Sequence, residues 1–352
     1  MDKIEIKGYK SFKDLTLTLR PINILIGSNG SGKSNFLSFF EFLNRLYEQK
    51  LTEYVALNGG IDKFFFQGSK TTESIYANIT FQDNFYLFNL KEGDNKFVFS
   101  KEGLGYHKDY YNIAQFGNEA NIKSYSGGLQ RGDYIKKYLS EIKKYHFHDT
   151  GKSSPFTKES HVVNDVYYLY EKGENLAAFL YGIREKEPMV YKRIVRVIQS
   201  IAPYFSDFYF NVSAADMVRL QWTDKFSSTI YGPTDLSDGT VRFIALTTLF
   251  LQPVPPKIII IDEPELGLHP LAIQKLAGLI KSVSARGTQV IMATQSADLI
   301  TNFNAEDVIT VNQTNGISVM QRLESESLES WLEDYTLGEL WKQNILKGGQ
   351  PE

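Results

Sequence analysis

The segment Gly27-Ser28-Asn29-Gly30-Ser31-Gly32-Lys33-Ser34 brings three glycines, a lysine and a terminal hydroxyl together within eight residues. That combination suits the holding of a polyphosphate. Successive backbone N–H groups must turn inward around phosphate oxygens, and glycines permit the tight turns and the close approach. Lys33 is placed to reach β- and γ-phosphates, and the Ser34 hydroxyl to hold Mg²⁺. Upstream, Ile22-Asn23-Ile24-Leu25-Ile26 is nearly all apolar, while Phe36, Leu37, Phe40, Leu43 and Leu46 recur downstream near helical spacing. A buried parallel strand, a glycine loop and a helix therefore follow in the order that phosphate binding needs, and the helix N-terminus adds partial positive charge. The expected ligand is ATP with Mg²⁺, held by Asn29, Gly30, Ser31, Gly32, Lys33, Ser34 and Asn35.

A second carboxylate-bearing strand end complements the loop. Ile258 to Ile261 is a run of four isoleucines that ends in Asp262-Glu263-Pro264-Glu265. Asp262 is expected to hold Mg²⁺ and Glu263 to accept a proton from the attacking water. Glu265 reads as a solvated surface acid. Between loop and strand, Leu236-Ser237-Asp238-Gly239-Thr240 opens the helical stretch Val241 to Leu251, one helix length before the acidic strand, the order of an ABC signature. There Ser237 and Gly239 would meet the γ-phosphate held by a facing subunit, against an ordinary helix cap by Ser237 or Asp238. Gln289 to Ala293 reads as another parallel strand, with Thr294-Gln295-Ser296 at its C-terminal end, where ligands gather in open α/β sheets. Gln295 can sense a γ-phosphate or its water as donor and acceptor, against a helix-capping role for the segment. His146-Phe147-His148 sets two imidazoles on one face of a strand without an acidic or thiol partner nearby in sequence, so no metal site is assigned there.

The elements that must position these groups follow from periodicity. Ile4 and Ile6, then Leu15, Leu17 and Leu19, alternate with polar residues as strands with one buried face, and Tyr76 to Leu90 reads as antiparallel strands. The pattern predicts an N-terminal lobe over 1–100, an inserted, partly helical segment over 101–160, a C-terminal lobe over 161–322 and a helical tail over 323–352. Within the insertion, Tyr134 to Tyr145 reads as one helix, with Lys136, Lys137, Lys143 and Lys144 on one side and Ile135, Leu139 and Ile142 on the other. That basic face is either solvated or a surface for DNA or a partner. The second lobe is expected to begin with a strand over Val166 to Tyr170 and a helix over Asn175 to Ile183; Leu328, Trp331, Leu332 and Tyr335 suggest a short packed helix in the tail.

Composition narrows the class. The chain has 352 residues, with 38 Lys plus Arg against 41 Asp plus Glu, so any nucleic-acid contact must come from a local patch. No apolar run approaches the roughly 18 residues needed to span a bilayer, and there is no cysteine. A cytoplasmic protein is expected, with no disulfide framework or thiolate metal site.

Taken together, Ile6-Lys7-Gly8-Tyr9-Lys10-Ser11-Phe12, the glycine loop with Asn35, the Leu-Ser-x-Gly segment and Asp262-Glu263-Pro264-Glu265-Leu266-Gly267-Leu268-His269-Pro270 resemble the SMC and RecF class of ABC ATPases. They look most like its compact members, the AAA_21-type predicted ATPases related to the heads of the OLD (overcoming lysogenization defect) nucleases. The resemblance implies an α/β P-loop head with a mainly parallel core sheet, an antiparallel β subdomain and a helical signature lobe. It also implies ATP hydrolysis with Mg²⁺ and a homodimer closed about two nucleotides. Its Q-loop glutamine, a further metal contact, would fall on Gln67 in Phe66-Gln67-Gly68. Asp238, Thr240, His269 and Gln295 depart from the usual pattern of signature, D-loop and switch. Leu90 to Val162 is too short for a long coiled coil. Since no nuclease carboxylate constellation is evident, the expected role is ATP-dependent switching in DNA repair, DNA maintenance or anti-phage defence with a separately encoded effector. An ABC transporter subunit and a non-hydrolysing ATP-gated scaffold are the alternatives.

Overall fold

A computed structural model describes residues 1–107, 109–115, 117–126 and 130–346. Period-two burial builds the first hairpin: β1 (Lys3–Tyr9) buries Ile4 and Ile6, and β2 (Phe12–Thr18) buries Leu15 and Leu17. The fully buried β3 (Ile22–Ile26) runs through the glycine loop into α1 (Lys33–Tyr47), followed by α2 (Leu51–Leu57). Then β4 (Ser74–Phe81), β5 (Asn84–Gly93), β6 (Lys96–Tyr106) and β7 (Asp109–Asn112) extend the hairpin into an antiparallel sheet of order β2-β1-β4-β5-β6-β7. Aromatic residues of α1 pack against this sheet, with Phe39 edge-on to Tyr9 at 5.2 Å between ring centres.

The chain continues through α3 (Gln130–Ser140), β8 (Ile142–Tyr145) and β9 (Ser160–His161) into a helical lobe. That lobe contains α4 (Leu176–Lys186), α5 (Pro188–Gln199), β10 (Phe205–Phe208), β11 (Met217–Val218), β12 (Trp222–Asp224) and β13 (Ile230–Tyr231). Next come α6 (Asp238–Leu251), β14 (Ile258–Asp262), α7 (Pro270–Ala285), β15 (Gln289–Ala293) and α8 (Ala297–Ile300). The described chain closes with β16 (Val308–Thr314), β17 (Ile317–Arg322), α9 (Ser325–Leu332) and α10 (Leu337–Lys342).

The core sheet has the order β17-β16-β3-β15-β14-β8, parallel throughout except for β17. Because side chains alternate across a strand, the isoleucines of β14 serve two cores. Ile258 and Ile260 pack with α1 and the antiparallel sheet, while Ile259 and Ile261 pack with the helical lobe. The strands β3, β14, β15 and β8 therefore point their C-terminal ends the same way, which gathers Gly27, Asp262, Thr294 and His146 along one sheet edge. The expected α/β head, with its antiparallel subdomain and helical lobe, is the fold observed.

Four details differ from the sequence expectation. Tyr134 to Tyr145 is not one helix: α3 ends at Ser140, and Ile142–Tyr145 pairs with β14 as the edge strand of the core sheet. Lys143 and Lys144 therefore leave the helical face expected to carry them with Lys136 and Lys137. Lys136 donates to the Tyr125 carbonyl, and Lys144 forms an ion pair with Glu41 at 3.1 Å. Val166 to Tyr170 is irregular rather than a strand, because Asn175 takes up its backbone groups, accepting from the Tyr170 N–H and donating to the Asp165 and Tyr168 carbonyls. In the tail, α9 stops at Leu332, so Tyr335 lies beyond it. The boundary expected at residue 100 falls inside β6.

Candidate functional site

The phosphate loop leaves β3 and enters α1 through Gly32, whose φ of 115° is a left-handed conformation favouring glycine. A Cβ there would also overlap the Ser318 hydroxyl. Ser318 Oγ donates at 2.7 Å to the Ser31 carbonyl and lies 2.8 Å from Ser11 Oγ, which accepts from Asn35 Nδ2 at 2.9 Å. The loop is thus braced by β17 and by the β1–β2 turn. Lys33 is buried, and its Nζ donates to the carbonyls of Gly27 and Ser28 at 2.6 and 2.9 Å. Burial lowers its pKa, and the nearby Glu263 and Asp262 charges oppose that shift. Ser31 Oγ is buried without a hydrogen-bond partner, a polar group unmatched within the protein. Ser34 is exposed on the first turn of α1.

Asp262 ends β14, and the chain then bends through Glu263 at φ 40°, an unusual conformation for a residue with a Cβ. The Glu263 N–H donates to the Ala293 carbonyl at 2.8 Å, which fixes the bend against β15. Gln295 stands at the end of β15, and its Nε2 donates at 2.9 Å to both Glu263 Oε1 and Asn29 Oδ1. The glycine loop, the acidic strand end and Gln295 are therefore brought together. Burial raises the Asp262 pKa, and the adjacent Glu263 charge raises it further.

Glu265 is not a solvated surface acid. It is 9% exposed, and its Oε1 accepts from the Thr294 hydroxyl. This pairing is not legible from spacing, because the two residues lie on different strand exits.

Gln67 lies elsewhere. It sits at φ 55° in the turn after Phe66 and lines a cavity of about 600 Å³ with Lys10, Ser11, Asn35, Asp62 and Gly316. Among the described residues no hydrogen bond links it to Asp262, Glu263 or Ser34. The residue that does adjoin Asp262 from β8 is His148, whose Nε2 lies 2.9 Å from the Asp262 carbonyl oxygen.

Ser237 is the N-cap of α6, accepting from the Thr240 N–H at 3.2 Å, so the capping role is present in the fold. Gly239 packs directly on the next loop: a Cβ there would overlap the Gly267 carbonyl. Both residues line a separate cavity of about 280 Å³ with Tyr204, Leu268, His269 and Leu271, and no phosphate-loop residue borders it. Arg242, one turn further along α6, donates to the carbonyls of Phe147, His148 and Leu266 at 3.1, 2.7 and 2.6 Å. One guanidinium thus ties α6 to the segment after β8 and to the acidic loop. Among the described residues no group of three or more His, Cys, Asp or Glu could hold a metal by itself.

Comparison with known proteins agrees with this architecture. The "AAA domain, putative AbiEii toxin, Type IV TA system" family, AAA_21, matches residues 22–301. The Old nuclease of Escherichia phage P2 is 24% identical over 93% of this chain and 61% of its own length. The energy-coupling factor transporter ATP-binding protein EcfA2 of Lactobacillus delbrueckii subsp. bulgaricus is 29% identical over 38% of this chain and 47% of its own. This chain thus spans about half to three-fifths of those two relatives. An SMC head bound to the C-terminal winged-helix domain of ScpA superposes with a TM-score of 0.60 at 16% identity, covering 94% of this chain and 99% of that one. An SMC head with an extended coiled coil, bound to the C-terminal domain of ScpA derived from Pyrococcus furiosus, gives 0.57 at 18% identity, covering 95% and 98%. No helix among the described residues is long and apolar enough to cross a membrane. With its phosphate loop and acidic strand carried on the fold of an SMC head, the protein belongs to the AAA_21 family of AAA/ABC-class P-loop ATPases.

Proposed function

We propose that the protein binds and hydrolyses ATP and that ATP closes it as a homodimer, a switch that a separately encoded effector reads in anti-phage defence or DNA maintenance. The observation that carries this reading is the Gln295 amide, which joins the phosphate loop at Asn29 to the proposed base, Glu263. The β- and γ-phosphates would lie over the loop N–H groups and Lys33, whose present acceptors are the loop's own carbonyls. The nucleoside would extend past Asn35 into the 600 Å³ cavity beside Lys10 and Ser11. The buried, unpartnered Ser31 hydroxyl, with the Ser34 hydroxyl at the start of α1 and the Asp262 carboxylate at the end of β14 as oxygen donors, fits a magnesium nucleotide. Ser34 and Asp262 would hold Mg²⁺, which would neutralise phosphate charge. Glu263 takes the proton from water, and Gln295 orients it.

The place of the proposed signature supports the dimer. Ser237 and Gly239 border a cavity of their own away from the phosphate loop, which supports a phosphate supplied by a second copy. The Old nuclease likeness spans 93% of the chain, against 38% for the transporter protein, which favours a soluble switch over a transporter subunit. The toxin in the family's description supports a defence setting.

Phosphate release and light scattering test this reading. The wild type should turn over ATP, Lys33→Ala should lose ATP binding, and Glu263→Gln should bind ATP, form the ATP-dependent dimer and lose about 10²- to 10⁴-fold in rate. Wild-type turnover in Glu263→Gln, or a monomer with ATP in that variant, would overturn it.

A further inference from the structure

Glu265 has no part in the chemistry above, yet it is 9% exposed and its Oε2 is buried without a hydrogen-bond partner. A carboxylate in such a place is costly unless it does something a neutral side chain cannot. Its partners say what that is. The Thr294 hydroxyl donates to Oε1, and the same hydroxyl accepts from the Ser296 N–H at 2.9 Å. The Gln295 N–H also favours the Glu265 carboxylate, whose pKa is raised chiefly by burial. Thr294 is itself fully buried, and its N–H donates to the Leu25 carbonyl at 3.0 Å, next to the start of the phosphate loop. Thr294 and the Gln295 backbone thus meet the carboxylate directly, Ser296 joins them through the Thr294 hydroxyl, and the middle residue of the three is Gln295.

We propose that Glu265 is a positioning residue: through Thr294 and the Thr294–Ser296 backbone it sets the direction of Gln295, so that the Gln295 amide meets Glu263 and Asn29 together. The inference rests on the catalytic reading of Gln295 above. Glu265 touches neither nucleotide nor water and acts on the reaction through Gln295 alone. The acid three residues after Asp262 and the hydroxyl before Gln295 form one device spread over two strand exits.

Thr294→Val removes the hydroxyl at nearly constant shape, Glu265→Gln keeps an acceptor but loses the charge, and Thr294→Ser restores the hydroxyl. Two readouts decide. In solution NMR of the nucleotide-free protein, the Gln295 side-chain amide signals, identified by their loss in Gln295→Ala, should move in Thr294→Val and Glu265→Gln and return in Thr294→Ser. In kinetics, Thr294→Val should lower kcat by about 10-fold with nucleotide Kd within about 2-fold, and should cost nothing further in a Gln295→Ala background. Unmoved Gln295 signals, or an equal loss with and without Gln295, overturn the proposal. A wild type that binds ATP without turnover removes the catalytic reading alone, and the NMR comparison still decides whether Glu265 sets Gln295.

Discussion

Gln295 Nε2 lies 2.9 Å from Glu263 Oε1, and Glu263 is held at φ 40° by its own N–H bond to Ala293. The strained acid and the amide are therefore set against each other by two adjacent parallel strands, β14 and β15. Both Nε2 protons of Gln295 are engaged, one on Glu263 and one on Asn29. In the proposed reading a γ-phosphate entering the loop would compete for that second bond, linking nucleotide arrival to the orientation of Glu263 through one side chain.

Gln295→Ala should therefore lower kcat by about 10- to 100-fold, the rate equivalent of one charge-assisted hydrogen bond, with ATP affinity changed by no more than about 2-fold. Single-turnover phosphate release beside equilibrium nucleotide titration separates the two quantities. A fall confined to affinity would make Gln295 a binding residue.

The two signature residues should respond differently to substitution. Ser237 is exposed, and replacing it loses a cap worth about 1 kcal/mol, so Ser237→Arg should remain folded and lose the ATP-dependent dimer. Gly239→Ala should also lower the melting temperature, because its Cβ would overlap the Gly267 carbonyl. Melting curves and light scattering run together separate a fold defect from an interface defect. A Gly239→Ala protein as heat-stable as the wild type would refute the close packing.

Motifs confined to one strand–loop–helix unit were legible because their periodicity and spacing are local. The phosphate loop, β14 and α6 are all of this kind. Ile142-Lys143-Lys144-Tyr145 was not: buried residues at i and i+3 suit a helix as well as a short edge strand, and pairing with Ile258–Ile261 decides between them. Glu265, His148, Arg242 and Ser318 act through partners brought near by sheet order, such as Thr294 and Asp262, and no single-segment pattern encodes those contacts. Tyr167 and Tyr168 alternate with apolar residues yet are 70% and 60% exposed, because Asn175 supplies the hydrogen bonds that a neighbouring strand would have given.

Asp262 predicts a pH effect. Burial and then the Glu263 charge raise its folded pKa above the unfolded value, so ionising it disfavours the folded state. Its contribution to stability is lost as pH rises from the unfolded carboxylate range, near about 4, through the raised folded value. In metal-free buffer, Asp262→Asn should accordingly melt above the wild type at pH 7, and the gap should close toward pH 4. Mg²⁺ with ATP should stabilise the wild type and leave the variant largely unaffected. Thermal melts across pH, with and without the magnesium nucleotide, check both statements. A variant less stable than the wild type at pH 7 in chelator contradicts the first.

Arg242 supplies the test of coupling between the signature and the rest of the site. Its guanidinium binds the carbonyls of Phe147, His148 and Leu266 from a helix whose N-cap is Ser237. Asp238, beside that cap, accepts from the Thr150 hydroxyl at 2.7 Å, so the β8 exit is held to α6 at two points. On the proposed dimer closure, any movement of α6 would therefore carry His148 relative to the Asp262 carbonyl it adjoins. Arg242→Ala leaves three carbonyls without their donor, and because the group is only half-buried the loss should be about 2 to 4 kcal/mol. Arg242→Lys should recover little, since a single ammonium cannot reproduce a fork spread over three acceptors. Hydrogen exchange should rise in peptides covering 146–151 and 263–268, while exchange at the phosphate loop stays unchanged. ATP should still bind Arg242→Ala, yet the ATP-bound dimer should turn over more slowly, because signature contact no longer sets the β8 exit. If exchange rises evenly across the chain, Arg242 stabilises the whole fold; if turnover per dimer is unchanged, α6 does not transmit closure through it.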